Sequence, residues 1–257
     1  MLNQTIAYIT FLLRSTNQHG VHSPFVYKLI TQCFYDETAQ QSATLIASFY
    51  KKLTKNKLKI KATTSGSCSG VLETNSPSIS KIAKSIGASK KQTKLVFRFV
   101  NYYQSNSILE LGTALGIATY AMSLGHPEAK ITTIGGCPNL AAFTEKTLKQ
   151  FNLKNSTILT GDIGKIIKQL TKSHYDLIYF NSNQEEQAVL DHFKTLLATV
   201  TNDSVFIFDA IYRSKYRTAA WNTIRNHPQV TVSIDTFFLG FVFFRKEQAK
   251  EHFTIRV

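Results

Sequence analysis

The stretch ELGTALGIATY, residues 110–120, places an acid, two threonines and two glycines four apart within a few positions. Read as a strand end opening a helix, it suits a ligand held close to the backbone. Gly112 lets the chain turn sharply, and Gly116 lets the helix sit near that ligand. No Lys-Ser/Thr pair follows the second glycine, so the pattern does not describe a triphosphate loop. Further along, ITTIGGCPN (131–139) runs from a strand into a turn, where a nucleoside-binding fold usually offers a carboxylate to a ribose. Gly135 and Gly136 stand there, with Cys137 beside them. Three later strand ends carry Asp162 in TGD, Asn181 in YFN and Asp209 in FDA. Near the start, HGVHSPF supplies His19 and His22, imidazoles that could serve as bases if their loop folds over the strand ends.

These groups need elements to position them. From residue 107 the sequence alternates apolar strand-like runs with helical patterns: SILELG, KITTIG, STILTGD, YDLIYFN and SVFIFDA are each followed by a helix. Such alternation predicts a parallel sheet covered on both faces. VTVSIDTF and GFVFFRK are separated by too few residues for a crossover, and so form an antiparallel hairpin. Its aromatic run FFLGFVFF reads as a buried closing hairpin, with dimerisation open to it if an edge is exposed. Trp221 reads as packing a helix on the sheet. Residues 1–105 show helical periodicity instead: Ile6, Ile9 and Leu13 form one stripe, Phe25, Leu29 and Cys33 another, Leu45, Ser48 and Leu53 a weaker third. SGSCSG (65–70) reads as a loop, and two short helices meet near Gly87. The expected organisation is a helical extension over 1–105 and an α/β domain over 106–257.

The chain has 257 residues, 43% of them hydrophobic and 18% charged, which suits a soluble folded protein. No run approaches the roughly 18 apolar residues of a membrane span, the first residues lack the features of a signal peptide, and a cytoplasmic location is expected. Cys33, Cys68 and Cys137 are odd in number and far apart, which argues against a disulfide framework or a zinc site. The formal charge of +14 is uneven: 14 basic against 3 acidic residues over 1–105, and 16 against 13 thereafter. The lysine run KKLTKNKLKIK (51–61) could attract an anionic partner, nucleic acid included, or be a solvated helix end. No nucleic-acid module signature accompanies it.

The glycine motif, the five β/α units and the closing hairpin together resemble the class I S-adenosylmethionine (SAM) dependent methyltransferases. More narrowly, HGVHSPFVYKLITQCFYD and FFRKEQAKEHFTIRV resemble a Bacteroidetes-type group of such enzymes. The resemblance implies a Rossmann-like fold whose mostly parallel seven-stranded sheet ends in an antiparallel hairpin. It implies SAM as cofactor, with Glu110, Gly112, Thr113 and Gly116 on its methionine and ribose side, Gly135 and Cys137 at the ribose, Asp162 near the adenine, and Asn181 close by. Departures cluster. Where the family usually has an acid for the ribose hydroxyls this chain has Gly135, Asn181 replaces an aspartate, Ala210 follows Asp209 where a second polar residue is usual, and the loop TTSGSCSG lacks an acid.

A carboxylate accepting both ribose hydroxyls would contribute about 1.5–3 kcal/mol per bond, so glycine there should weaken SAM by one to several orders of magnitude. A divalent cation wants several anionic oxygens, and Asn181 with Ala210 leaves only Asp209; no metal is expected. Catalytic candidates are then His19, His22 and Asp209. Methyl transfer itself depends mainly on in-line positioning and exclusion of water. Two readings follow: a metal-independent methyltransferase of a small molecule, or a protein that keeps the fold as a binding or scaffold partner, catalytically degenerate. RNA methylation is a third, less favoured one.

Overall fold

The structure is a computed structural model, and it describes residues 2–61, 76–85, 89–181 and 186–257. The TTSGSCSG loop with Cys68, the helix junction at Gly87 and the residues just after Asn181 lie outside them. Along the chain run α1 (Leu2–Arg14), α2 (Pro24–Leu29, continued by a π-turn over Ile30–Phe34), α3 (Gln40–Lys55), α4 (Ile79–Ser85), α5 (Lys90–Tyr103), β1 (Ser107–Leu111), α6 (Ile117–Gly125), β2 (Lys130–Gly135), α7 (Pro138–Gln150), β3 (Ser156–Thr160), α8 (Ile163–Leu170), β4 (Leu177–Phe180), α9 (Glu186–Leu196), β5 (Val205–Asp209), α10 (Lys215–Arg225), β6 (Val232–Asp235), β7 (Leu239–Phe243) and β8 (Glu251–Thr254). Each of the five expected β/α units is present. No helix among the described residues is long and apolar enough to cross a membrane.

The chain divides into two compact units, one of residues 37–170 and 181–183, the other of residues 1–36, 171–180 and 184–257. In the first, β1, β2 and β3 pair in parallel, so that Glu110 lies opposite Thr133 and Gly135 opposite Thr160. β1 is buried over four of its five residues, the signature of a strand covered on both faces. A capping box between Ser89 and Gln92 starts α5, and its Leu95, Val96, Phe99 and Val100 are buried. α5 approaches α6 so closely that a Cβ on Gly125 would lie 2.9 Å from the carbonyl oxygen of Phe97. On α3 the buried face is Ile46, Phe49 and Leu53, while Leu45 is 40% exposed. The stripe expected through Leu45 and Ser48 is therefore displaced by one position, because Phe49 stacks on Tyr120 at 4.6 Å and fixes the rotation of the helix.

In the second unit, β4 pairs in parallel with β5, β5 antiparallel with β7, and β7 antiparallel with β6. The hairpin is as expected. Because β7 is flanked on both sides, FFLGFVFF offers no edge for dimerisation. An eighth strand, β8, adds in parallel to β6, and Thr16 bridges Ile255 beyond it. The seven strands expected from the sequence omit it, since FFRKEQAKEHFTIRV is too short and too charged to show period-two alternation. Trp221 is buried against the sheet: a Cβ on Gly240 would fall 2.6 Å from its ring. α2 and its π-turn bury Leu29, Cys33 and Phe34, and Phe34 meets Phe241 at 5.1 Å. Among the described side chains of α1 only Phe11 is buried, against Phe237 at 5.5 Å. Ile6, Ile9 and Leu13 are exposed, so the apolar stripe read in the sequence faces away from the core.

Candidate functional site

The first unit holds the glycine motif. Gly112 and Gly116 both have left-handed φ, 103° and 71°, and a side chain on Gly116 would also meet Thr144 at 2.8 Å. The loop between them is tied down rather than free. The amides of Gly112 and Thr113 donate to the carbonyl of Ile134 at 2.9 and 3.0 Å, and Thr144 Oγ1 donates to the carbonyl of Ala114 at 2.9 Å. β2 and α7 thus fix the shape of the turn that begins α6.

Glu110 is fully buried. Thr119 Oγ1 donates to its Oε2 at 2.5 Å, and Asn181 Nδ2 approaches Oε1 at 3.5 Å. Loss of water outweighs the help from Thr119, Thr133 and Asn181, and the carboxyl is pushed up to about 7. The same Asn181 amide donates to the carbonyl of Gly112 at 3.1 Å. An aspartate could not donate there, and would set a second carboxylate beside one already reluctant to ionise. Asparagine at position 181 therefore has a structural reason.

At the end of β2, Gly135 is buried and no carboxylate faces outward. A Cβ there would stand 3.3 Å from Thr113 Oγ1, a tight but adjustable approach. That hydroxyl pairs with Thr133 Oγ1 at 2.7 Å. Cys137 is buried at the N-cap of α7. Asp162 is exposed and caps α8, its Oδ1 accepting the amide of Lys165 at 2.8 Å. Glu110, Gly112, Thr113 and Asn181 are thus joined through hydrogen bonds in one network. Asp162 is held to this region by the bond from the Gly161 amide to the Gly135 carbonyl, 3.1 Å.

The candidates His19, His22 and Asp209 belong to the second unit. Both histidines are exposed. Within HGVHSPF the structural duties fall elsewhere: Gly20 leaves no room for a side chain beside Thr16, and Ser23 caps α2 with Pro24 in its first turn. His22 makes no hydrogen bond among the described residues, and His19 Nε2 meets only Gln18 Nε2 at 3.2 Å. Asp209 is pushed up to about 6 by loss of water, opposed by Arg217 and then Arg213. Arg217 Nη1 also donates to the backbone carbonyl of Asp209 at 3.0 Å.

Sequence reasoning missed Thr119, Thr133, Thr144 and Arg217. Thr119 lies within the quoted motif, in the first turn of α6, but a threonine on a helix carries no signal until its partner is known.

No family model matches the chain, and no curated protein matches it in sequence. Solved structures do match. An O-methyltransferase from Bacillus cereus, in complex with S-adenosylhomocysteine (SAH), is similar with a TM-score of 0.54 and 18% identity, over 62% of this chain and 83% of that one. A methyltransferase from Podospora anserina, also SAH-bound, gives 0.59 and 12%, over 82% and 97%. The O-methyltransferase of tomaymycin synthesis from Streptomyces achromogenes, in complex with SAM, gives 0.55 and 14%, over 90% and 99%. The chain has the α/β, Rossmann-like fold of methyltransferases, with a mostly parallel sheet ended by an antiparallel hairpin and helices at its start.

Proposed function

We propose that this protein is a SAM-dependent methyltransferase acting on a small-molecule acceptor in the cytoplasm, without a catalytic metal ion. The observation that carries the reading is the braced glycine turn: two left-handed glycines, the buried Glu110 and the Asn181 latch lie in a fold whose solved neighbours hold SAM or SAH. The residues fit that group in part. Gly112 and Gly116 give the turn a left-handed backbone that brings the chain close to a ligand, and Thr113 stands next to Gly135 as a polar group for the ribose side. The ribose carboxylate is missing. SAM, when bound, supplies an electrophilic methyl on sulfur; the glycine turn would position it, and the buried apolar side chains of Leu115, Ile117 and Leu140 would help keep water away. HGVHSPF supports the narrower Bacteroidetes-type resemblance, and its unengaged His22 is our candidate proton acceptor.

Metal independence is supported by the neighbours of Asp209. Arg217 and Arg213 already place positive charge beside the single acid on offer, which disfavours a divalent cation.

The missing acid at Gly135 also favours a second reading, a binding or scaffold protein that has kept the fold and lost its cofactor. RNA methylation rests on the lysine run alone. Calorimetric titration with SAM and SAH, repeated on Gly135→Glu, separates the first two. Binding by the unaltered chain, strengthened at least tenfold in the variant, upholds the methyltransferase reading. No heat from the unaltered chain at millimolar ligand sinks it.

A further inference from the structure

The second unit contains a pocket of about 850 Å³ that none of the candidate cofactor or catalytic residues lines. One wall is α1, through Ala7, Phe11 and Arg14; the other is α10 along its length, from Lys215 to Arg225; Tyr212 and Asp235 contribute to the remaining lining. Its size is that of a small-molecule site. Its charge is one-sided. Arg14, Arg213, Lys215 and Arg225 all contribute, against Asp235 as the single acid of the lining. Asp235 accepts the Tyr212 hydroxyl at 2.6 Å and the Phe237 amide at 2.8 Å and attracts Arg225 across the pocket, so one acid offsets part of the charge of four cations. Arg225 Nε is buried with no hydrogen-bond partner, and among the described residues neither Arg14 nor Arg225 has a salt bridge. A buried guanidinium N–H without an acceptor is costly, and clustered cations repel one another. An anion would relieve both.

We propose that this pocket binds a small, multiply charged organic anion, with Arg14, Lys215 and Arg225 as its principal partners. The fixed guanidinium forks of Arg14 and Arg225 suit the paired oxygens of a phosphate or carboxylate, and Lys215 adds a mobile point charge. Tyr212, stacked on Phe237 at 5.0 Å, holds one side of the lining rigid. The inference stands whether or not the glycine turn binds SAM.

The test is calorimetric titration of the whole chain at fixed ionic strength with two probes, pyrophosphate and citrate. At least one should bind saturably at one site; which of them does tells phosphate from carboxylate chemistry. Arg14→Gln and Lys215→Gln, both at exposed positions, should each weaken that binding about fivefold, and Arg225→Met at least tenfold. A control pair on α3, Lys52→Gln with Lys55→Gln, removes two charges elsewhere and should leave it within about twofold, which separates the pocket from the overall charge of the chain. Melting curves confirm that each variant is folded. Absence of saturable binding by both probes overturns the proposal. So does equal binding by Arg14→Gln, Lys215→Gln and the unaltered chain, or an equal loss in the control pair.

Discussion

Glu110→Gln should make the protein more stable at alkaline pH, by an amount that grows with pH. In the native state the buried carboxyl is pushed up from its ordinary 4.5 to about 7. Because the folded value lies above the unfolded one, the native chain holds a proton between pH 4.5 and 7 that the unfolded chain has released. Stability therefore falls as pH rises through that window. A gap of about two and a half pH units corresponds to roughly 3 kcal/mol at full development. Glutamine keeps an acceptor for Thr119 and cannot ionise, so the variant escapes this loss. For a chain of this size about 3 kcal/mol is worth about 6–12 °C in Tm. Thermal melts of both proteins at half-unit intervals from pH 4.5 to 8.5 give the difference directly. It should be small and constant near pH 4.5, whatever the cost of the altered hydrogen bonds, and widen in the variant's favour until about pH 8. Asp209 loses stability in a lower window, from 3.8 to about 6, but does so in both proteins and cancels. Parallel curves across the whole range would refute the reasoning, since Glu110 would then have no raised affinity for its proton.

Asn181→Asp removes the donor to the Gly112 carbonyl and adds a carboxylate beside Glu110; a destabilisation of about 1–3 kcal/mol is expected by urea unfolding, larger at pH 8 than at pH 5. Gly240→Ala drives a methyl group to within 2.6 Å of the Trp221 ring, and should lower Tm by several degrees, whereas Gly135→Ala, whose tightest approach is 3.3 Å, should change it by much less. Once an acceptor is found, methyl transfer should survive a chelator unchanged; a drop of tenfold or more that magnesium restores would show that Asp209 takes part in a metal site despite Arg217. His22→Ala should leave SAM or SAH binding unchanged and lower turnover of a hydroxyl acceptor by about a hundredfold.

Local patterns in the sequence make much of the molecule legible. Five apolar runs alternating with helices specify parallel strands, because a strand buried on both faces must be apolar throughout and its crossover must be long. The short turn around Gly240 specified the hairpin for the converse reason. Positions 112 and 116 were readable because left-handed backbone conformations select glycine by sterics alone. What escaped depended on partners far along the chain. The rotation of α3 follows Phe49 on Tyr120, and that of α1 follows Phe11 on Phe237, so helical periodicity found the stripes at Ile6 and Leu45 without knowing which side would be buried. β8 has no pattern of its own and exists because β6 offers an edge to pair with. Asn181 read as a loss from the sequence; only the fold shows it latching the Gly112 carbonyl beside a carboxyl that prefers its proton. Charge at a single position is legible in sequence. Its meaning depends on the dielectric and the neighbours it meets, and those belong to the tertiary structure.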